Sequence, residues 1–120
     1  MQKRMKNKKE VISKNYLEKI PVHKEGMKWS TDENGKVSLH VENKGILNRI
    51  FQKLLKKPEI TYIHLDETGS FIWPLIDGEK NLIDIAEKVK EHFGDAANPL
   101  YERIAKYFQI LSSYGFVEFR

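Results

Sequence analysis

Four histidines are the residues of this 120-residue chain best suited to proton transfer or metal binding: His23, His40, His64 and His92. A neutral imidazole can ligate zinc or carry a proton near neutral pH. Helical zinc motifs such as HExxH set two ligands four residues apart, and none of the four histidines has a His, Asp or Glu partner at that spacing. His40 and His64 become neighbours if their strands pair, but two imidazoles do not complete a metal site. Ser13, Ser30, Ser38, Ser70, Ser112 and Ser113 lie outside any nucleophile-elbow pattern. Asp84, Glu87 and Glu91 fall at helical spacing opposite an apolar face, which reads as a solvated surface. No glycine-rich loop joins a strand to a helix, so no phosphate cradle is visible. The absence of cysteine excludes disulfides, thiolate zinc sites, iron–sulfur clusters and cysteine nucleophiles. The expectation is therefore no catalytic residues, no metal site and no cofactor.

The elements available to position a binding site follow from length and patterning. One domain's worth of chain is present, 40% hydrophobic and 32% charged, which suits a globular protein. No apolar run approaches the roughly 20 residues that span a bilayer. The basic N-terminus lacks the apolar core of a secretory signal, so the cytoplasm is the expected compartment. The net charge of +4 is uneven. Residues 1–28 carry nine Lys/Arg against three Glu, and residues 44–57 carry five Lys/Arg and no acid. Residues 58–120 carry six Lys/Arg against eleven Asp/Glu. The basic character belongs to the first half of the chain alone.

Residues 1–15 read as a basic, flexible arm. Tyr16, Leu17, Ile20, Pro21 and Val22 form the first apolar cluster and are expected to anchor the chain, with Pro21 keeping it extended. Met27–Thr31 and Lys36–Val41 read as a hairpin around Asn34-Gly35, a pair that favours positive φ. Val37, Leu39 and Val41 alternate with Ser38, His40 and Glu42, which gives one buried and one polar face. Trp29 is expected to point inward. Residues 45–57 have the spacing of an amphipathic helix, with Asn43 as cap and Pro58 as stop. Glu59–Leu65 reads as a third strand, with Ile60, Tyr62 and His64 on one face and Thr61, Ile63 and Leu65 on the other.

Helices follow. Asp66 can cap the first, which Pro74 should kink or shorten before Asp77-Gly78. The second covers about 81–93, closed by Gly94. The third covers about 98–114, with Asn98 as cap, Pro99 at the first helical position and Gly115 at the end. Phe116–Phe119 can form a last short strand. This order predicts an α+β, winged helix-turn-helix-like domain over residues 16–120: a small antiparallel sheet, three C-terminal helices and a helical insertion at 45–57.

The stretch Tyr62–Phe119 resembles the PqqD family. The residues that carry the resemblance are Leu65-Asp66-Glu67-Thr68-Gly69 before Ile72-Trp73, then Ile76-Asp77-Gly78 and Ile83/Ile85-Ala86. Phe93 and Tyr107-Phe108…Leu111…Tyr114-Gly115-Phe116-Val117 follow in order. Residues 1–25 take no part in the pattern. Helix 45–57 looks like an elaboration, and Pro74 departs from what the family's first helix would carry.

The resemblance implies a RiPP recognition element, a non-catalytic chaperone that binds the leader of a ribosomally made precursor peptide. It implies presentation of that peptide to a modifying enzyme of the radical SAM type. It also implies a leader held as an added strand beside the third strand, against the third helix. Bottom-up, an exposed strand offers N–H and C=O groups to an extended peptide. The candidate strand is Ile60, Thr61, Tyr62, Ile63, His64 and Leu65. On the third helix the candidates are Tyr101, Ala105, Phe108 and Ser112 as a groove wall, with Arg103 and Lys106 for acidic leader residues. The alternatives are a winged-helix DNA-binding regulator and a partner- or membrane-docking adaptor using helix 45–57. The acidic balance of 58–120 opposes the electrostatic term of DNA binding and disfavours nucleic acid as partner.

Overall fold

The computed structural model describes residues 13–42 and 60–120. The basic arm up to residue 12, the helix expected at 45–57 and its proposed cap and stop lie outside the described residues. The fold is α+β, built from two small antiparallel sheets and several helices. The described residues form two compact units, one of residues 13–25 with 71–120 and one of residues 26–42 with 60–70.

The second unit is organised by a tight turn. Asp32 Oδ1 accepts from the amides of Asn34 at 2.8 Å and Lys36 at 2.9 Å. Gly35, at φ +83°, supplies the left-handed backbone that the turn needs. The flanking strands β2 (Lys28–Thr31) and β3 (Val37–Glu42) pair antiparallel, with Trp29 opposite Leu39 and Thr31 opposite Val37. Strand β4 (Ile60–His64) pairs with the other side of β3, giving the order β2-β3-β4. Val37 and Leu39 are buried, as their alternation predicts. Trp29 corrects the expectation of an inward ring: it shares Leu39's face, yet is 40% exposed. Among the described residues its strand is an edge of the sheet, and an edge position covers a side chain from fewer directions.

After β4 the chain enters helix α2 (Glu67–Ile72). Asp66 Oδ1 accepts from the Gly69 amide at 2.8 Å, as the capping reading requires. Buried Ser70 ties this turn to the sheet. Its hydroxyl accepts from the Val37 amide at 2.8 Å and donates to the Leu65 carbonyl at 3.3 Å. Pro74 cannot donate to an α-helical ladder, and the chain tightens to a 3-10 turn at Trp73–Leu75.

In the first unit, helix α1 (Lys14–Leu17) is capped by Ser13, whose hydroxyl accepts from the Tyr16 amide at 3.0 Å. The arm expected over residues 1–15 therefore gives way to helix by Lys14. Helix α3 (Leu82–Phe93) starts at a capping box: Asn81 Oδ1 accepts from Asp84 N at 2.8 Å, and Asp84 Oδ2 from Asn81 N at 3.1 Å. Asp84 is thus a cap residue rather than only a solvated charge. Helix α4 (Leu100–Ser113) begins later than expected. Pro99 occupies its cap position and Asn98 makes no side-chain cap bond, a correction to the expected start. The first turn closes instead through Arg103 N to the Pro99 carbonyl at 3.1 Å.

Strands β1 (Pro21–His23) and β5 (Val117–Phe119) pair antiparallel, Val22 opposite Glu118. The anchoring cluster is placed as expected: the Tyr16 and Phe119 rings meet edge-on at 5.8 Å, and the Leu82 amide donates to the Lys19 carbonyl at 3.2 Å. The buried side chains of this unit include Trp73, Leu82, Ile85, Ile104 and Phe108. Leu82, Ile85, Ala86 and Val89 form one stripe of α3, and Ile104, Ala105, Phe108 and Leu111 one stripe of α4. Facing stripes of this kind bury apolar area at roughly 25 cal/mol per Å2.

Candidate functional site

Strand β4 has a neighbour on one side only among the described residues. Which of its backbone groups meet β3 follows from one hydrogen bond. The Leu65 amide donates to the Val37 carbonyl at 2.9 Å, which makes Val37–Leu65 a bonded pair. Bonded and non-bonded pairs alternate along an antiparallel ladder. Leu39–Ile63 and Val41–Thr61 are then bonded, while Ser38–His64, His40–Tyr62 and Glu42–Ile60 are not. The N–H and C=O groups of Ile60, Tyr62 and His64 therefore point away from β3, along the outer edge. Those of Thr61, Ile63 and Leu65 point into the sheet.

Side chains sort by the same register, as the period of two predicts. Thr61, Ile63 and Leu65 share the face of Val41, Leu39 and Val37. Ile60, Tyr62 and His64 share the face of Glu42, His40 and Ser38. On this second face His64 Nδ1 meets Ser38 Oγ at 2.7 Å, and His40 Nε2 meets Ser30 Oγ at 3.0 Å. The His40 ring packs edge-on against Tyr62, centroids 4.9 Å apart. Tyr62 remains 52% exposed. The two histidines do share a face, but each takes a serine hydroxyl. Among the described residues no group of three or more His, Cys, Asp or Glu could hold a metal ion.

The helical candidates divide. Tyr101 is 44% exposed, Lys106 is exposed and Ser112 is partly covered. Arg103 is exposed, and its Nη1 donates to the Ala96 carbonyl at 2.8 Å, so its guanidinium braces the 3-10 turn at Gly94–Ala97. Ala105 and Phe108 are 2% and 0% exposed. Both are covered rather than at the surface: they belong with Ile104 and Leu111 to the buried stripe, and only Tyr101 and Ser112 of the expected groove wall are not buried. The residues missed by sequence reasoning are Ser38 and His40, which complete the polar face beside β4. Their signal was the alternation Ser38-His40-Glu42.

The shifted titratable groups all belong to the first unit. His23 stacks on Trp73 with centroids 4.1 Å apart, and burial pulls its pKa down, opposed by a contact of Nε2 with the Trp73 carbonyl at 3.1 Å. Burial pushes the Tyr16 hydroxyl up. Lys80 beside Asp77, at 2.7 Å, holds that carboxyl well below the usual range, together with the Glu79 and Lys80 amides. No described helix is long and apolar enough to cross a membrane.

Neither the comparison with curated proteins nor the comparison with solved structures returned a match. The family model described as coenzyme PQQ synthesis protein D matches residues 37–117, which runs from the first residue of β3 to the first of β5. That range takes in β3, β4 and all three of α2, α3 and α4, and it begins 25 residues before the Tyr62–Phe119 stretch that carries the resemblance. The chain belongs to the coenzyme PQQ synthesis protein D (PqqD) family.

Proposed function

We propose that this chain is a non-catalytic peptide-binding module that takes the leader of a ribosomally made precursor peptide and presents it to a modifying enzyme, of the radical SAM type. The observation that carries the reading is the outer edge of β4. Three residues, Ile60, Tyr62 and His64, turn their amide and carbonyl groups away from β3 and so present the pattern that an added strand requires. Five strand residues extend about 16 Å, enough for a short extended segment to bond along the whole edge. Main-chain bonds of this kind supply affinity, and the alternating side chains supply selectivity. Membership of the PqqD family supports a peptide as the occupant. The winged-helix-like arrangement and a cytoplasmic setting are part of the same reading. Tyr101, Arg103, Lys106 and Ser112 stay within it as contact candidates on α4; Ala105 and Phe108 act as core.

The test is a titration of the 15N-labelled chain with the synthetic leader of its candidate precursor peptide. The amides of Ile60, Tyr62 and His64 should shift and gain protection from exchange, more than those of Thr61 and Ile63, which already point into the sheet. A leader that leaves the outward amides unmoved refutes the proposal.

A further inference from the structure

The polar face beside the β4 edge has a direction. Glu42 stands opposite Ile60 at one end, and Ser38 stands opposite His64 at the other. Lys28, the charged residue that β2 contributes to this face, sits opposite His40. The carboxylate of the face is therefore at the Ile60 end, and the His64 end carries hydroxyl and imidazole groups.

His64 is exposed, and its Nδ1 is engaged by Ser38 Oγ at 2.7 Å, on the β3 side. The two nitrogens of an imidazole are separated by one carbon and face different directions, so with Nδ1 held by Ser38, Nε2 is the nitrogen left for another group. When the serine hydroxyl donates to Nδ1, Nε2 carries the hydrogen and is a donor; when the serine accepts from Nδ1–H of the neutral ring, Nε2 is an acceptor. A carboxylate facing Nε2 selects the first arrangement, in which Nε2–H donates. The His64 backbone points outward, so a residue added opposite it would form a bonded cross-strand pair with its side chain on the same face. The neighbour on that face two residues along is the exposed Tyr62 ring, held edge-on by His40.

We propose that the β4 edge selects a peptide strand bearing an aspartate or glutamate opposite His64, with an apolar or aromatic residue two positions away, opposite Tyr62. This rests on the added-strand reading above and names what the edge selects. The carboxylate accepts from His64 Nε2–H, a charge-assisted bond stronger than a neutral one.

The test uses the full chain as bait for a displayed library of random peptides about ten residues long, long enough to cover the edge. Tyr62→Pro, which removes an outward amide, is the control for strand addition. Enriched peptides should carry Asp or Glu at one position about tenfold above the library frequency, as a charge-assisted hydrogen bond allows. That preference should vanish with His64→Gln and survive with His64→Lys. Peptides enriched over the Tyr62→Pro control but without an acidic position overturn the selectivity and leave strand addition standing. Equal enrichment on the chain and on Tyr62→Pro overturns both.

Discussion

Proline at position 62 should weaken peptide binding while leaving the sheet intact, and proline at position 63 should weaken the sheet itself. Tyr62 belongs to a non-bonded pair with His40, so its amide contributes nothing to the β3–β4 ladder. Proline there removes one outward donor, and edge strands tolerate proline when its missing N–H faces outward. A bound strand would then leave one carbonyl without its donor. An unsatisfied group of that kind costs about 1–3 kcal/mol, which corresponds to binding about 5- to 150-fold weaker. Tyr62→Thr keeps the amide and the strand preference while removing the ring, so the ratio between the two variants isolates the backbone donor. Ile63 instead pairs with Leu39, which is completely buried. Ile63→Pro takes away the bond to the Leu39 carbonyl and costs about 1–3 kcal/mol of stability on that count alone. For a domain of this size that amounts to a melting temperature lower by about 3–20 °C. The assays are leader affinity by calorimetry and thermal unfolding by circular dichroism, on all three variants. Leader affinity for Tyr62→Pro within about twofold of Tyr62→Thr, below the loss of even a weak hydrogen bond, refutes the assignment of the outer edge as the docking line.

Two further outcomes follow from the first unit. Burial pulls the folded pKa of His23 below the ordinary imidazole value of 6.5, so the unfolded chain binds the extra proton more readily. Its contribution to stability is complete above pH 6.5 and is lost as the pH falls below that value toward the folded pKa. Thermal melts from pH 8 to pH 5 should therefore show a steeper acid decline for the native chain than for His23→Phe, and parallel curves would contradict the assignment. Phe108→Ala should cost about 3–5 kcal/mol, the usual loss for a fully buried ring. Measured at a temperature where the variant is folded, its leader affinity should match that of the native chain, and a selective loss of affinity would return Phe108 to the binding surface.

How far the sequence could be read depended on the range of the interactions involved. The β2–β3 turn is specified within five residues, because Asp32 bonds the amides of Asn34 and Lys36 and Gly35 takes the positive φ. The alternation through β3 and β4 predicts both faces of the sheet, and the register bears it out. The C-terminal end of α3 was legible from Gly94, and that of α4 from Gly115; the capping box at Asn81 was not read from the sequence. Such features depend on neighbours along the chain, where residue type alone decides the outcome.

The remainder needed partners distant in sequence. Pairing of β1 with β5 brings Val22 to Glu118, and three residues at each end carry no periodicity long enough to announce it. Helix α4 has apolar and aromatic residues on adjoining stripes, so spacing shows two candidate faces without saying which is covered. Tertiary packing buried Ala105 and Phe108 and left Tyr101 and Ile110 exposed. Trp29 was decided in the same way, by its place on an edge strand. The chain's own sequence determined the strands, caps, turns and the family motifs. Only the tertiary structure decided which backbone groups of β4 face outward, because that phase is set by the long-range β3–β4 pairing, to which the Leu65–Val37 hydrogen bond belongs.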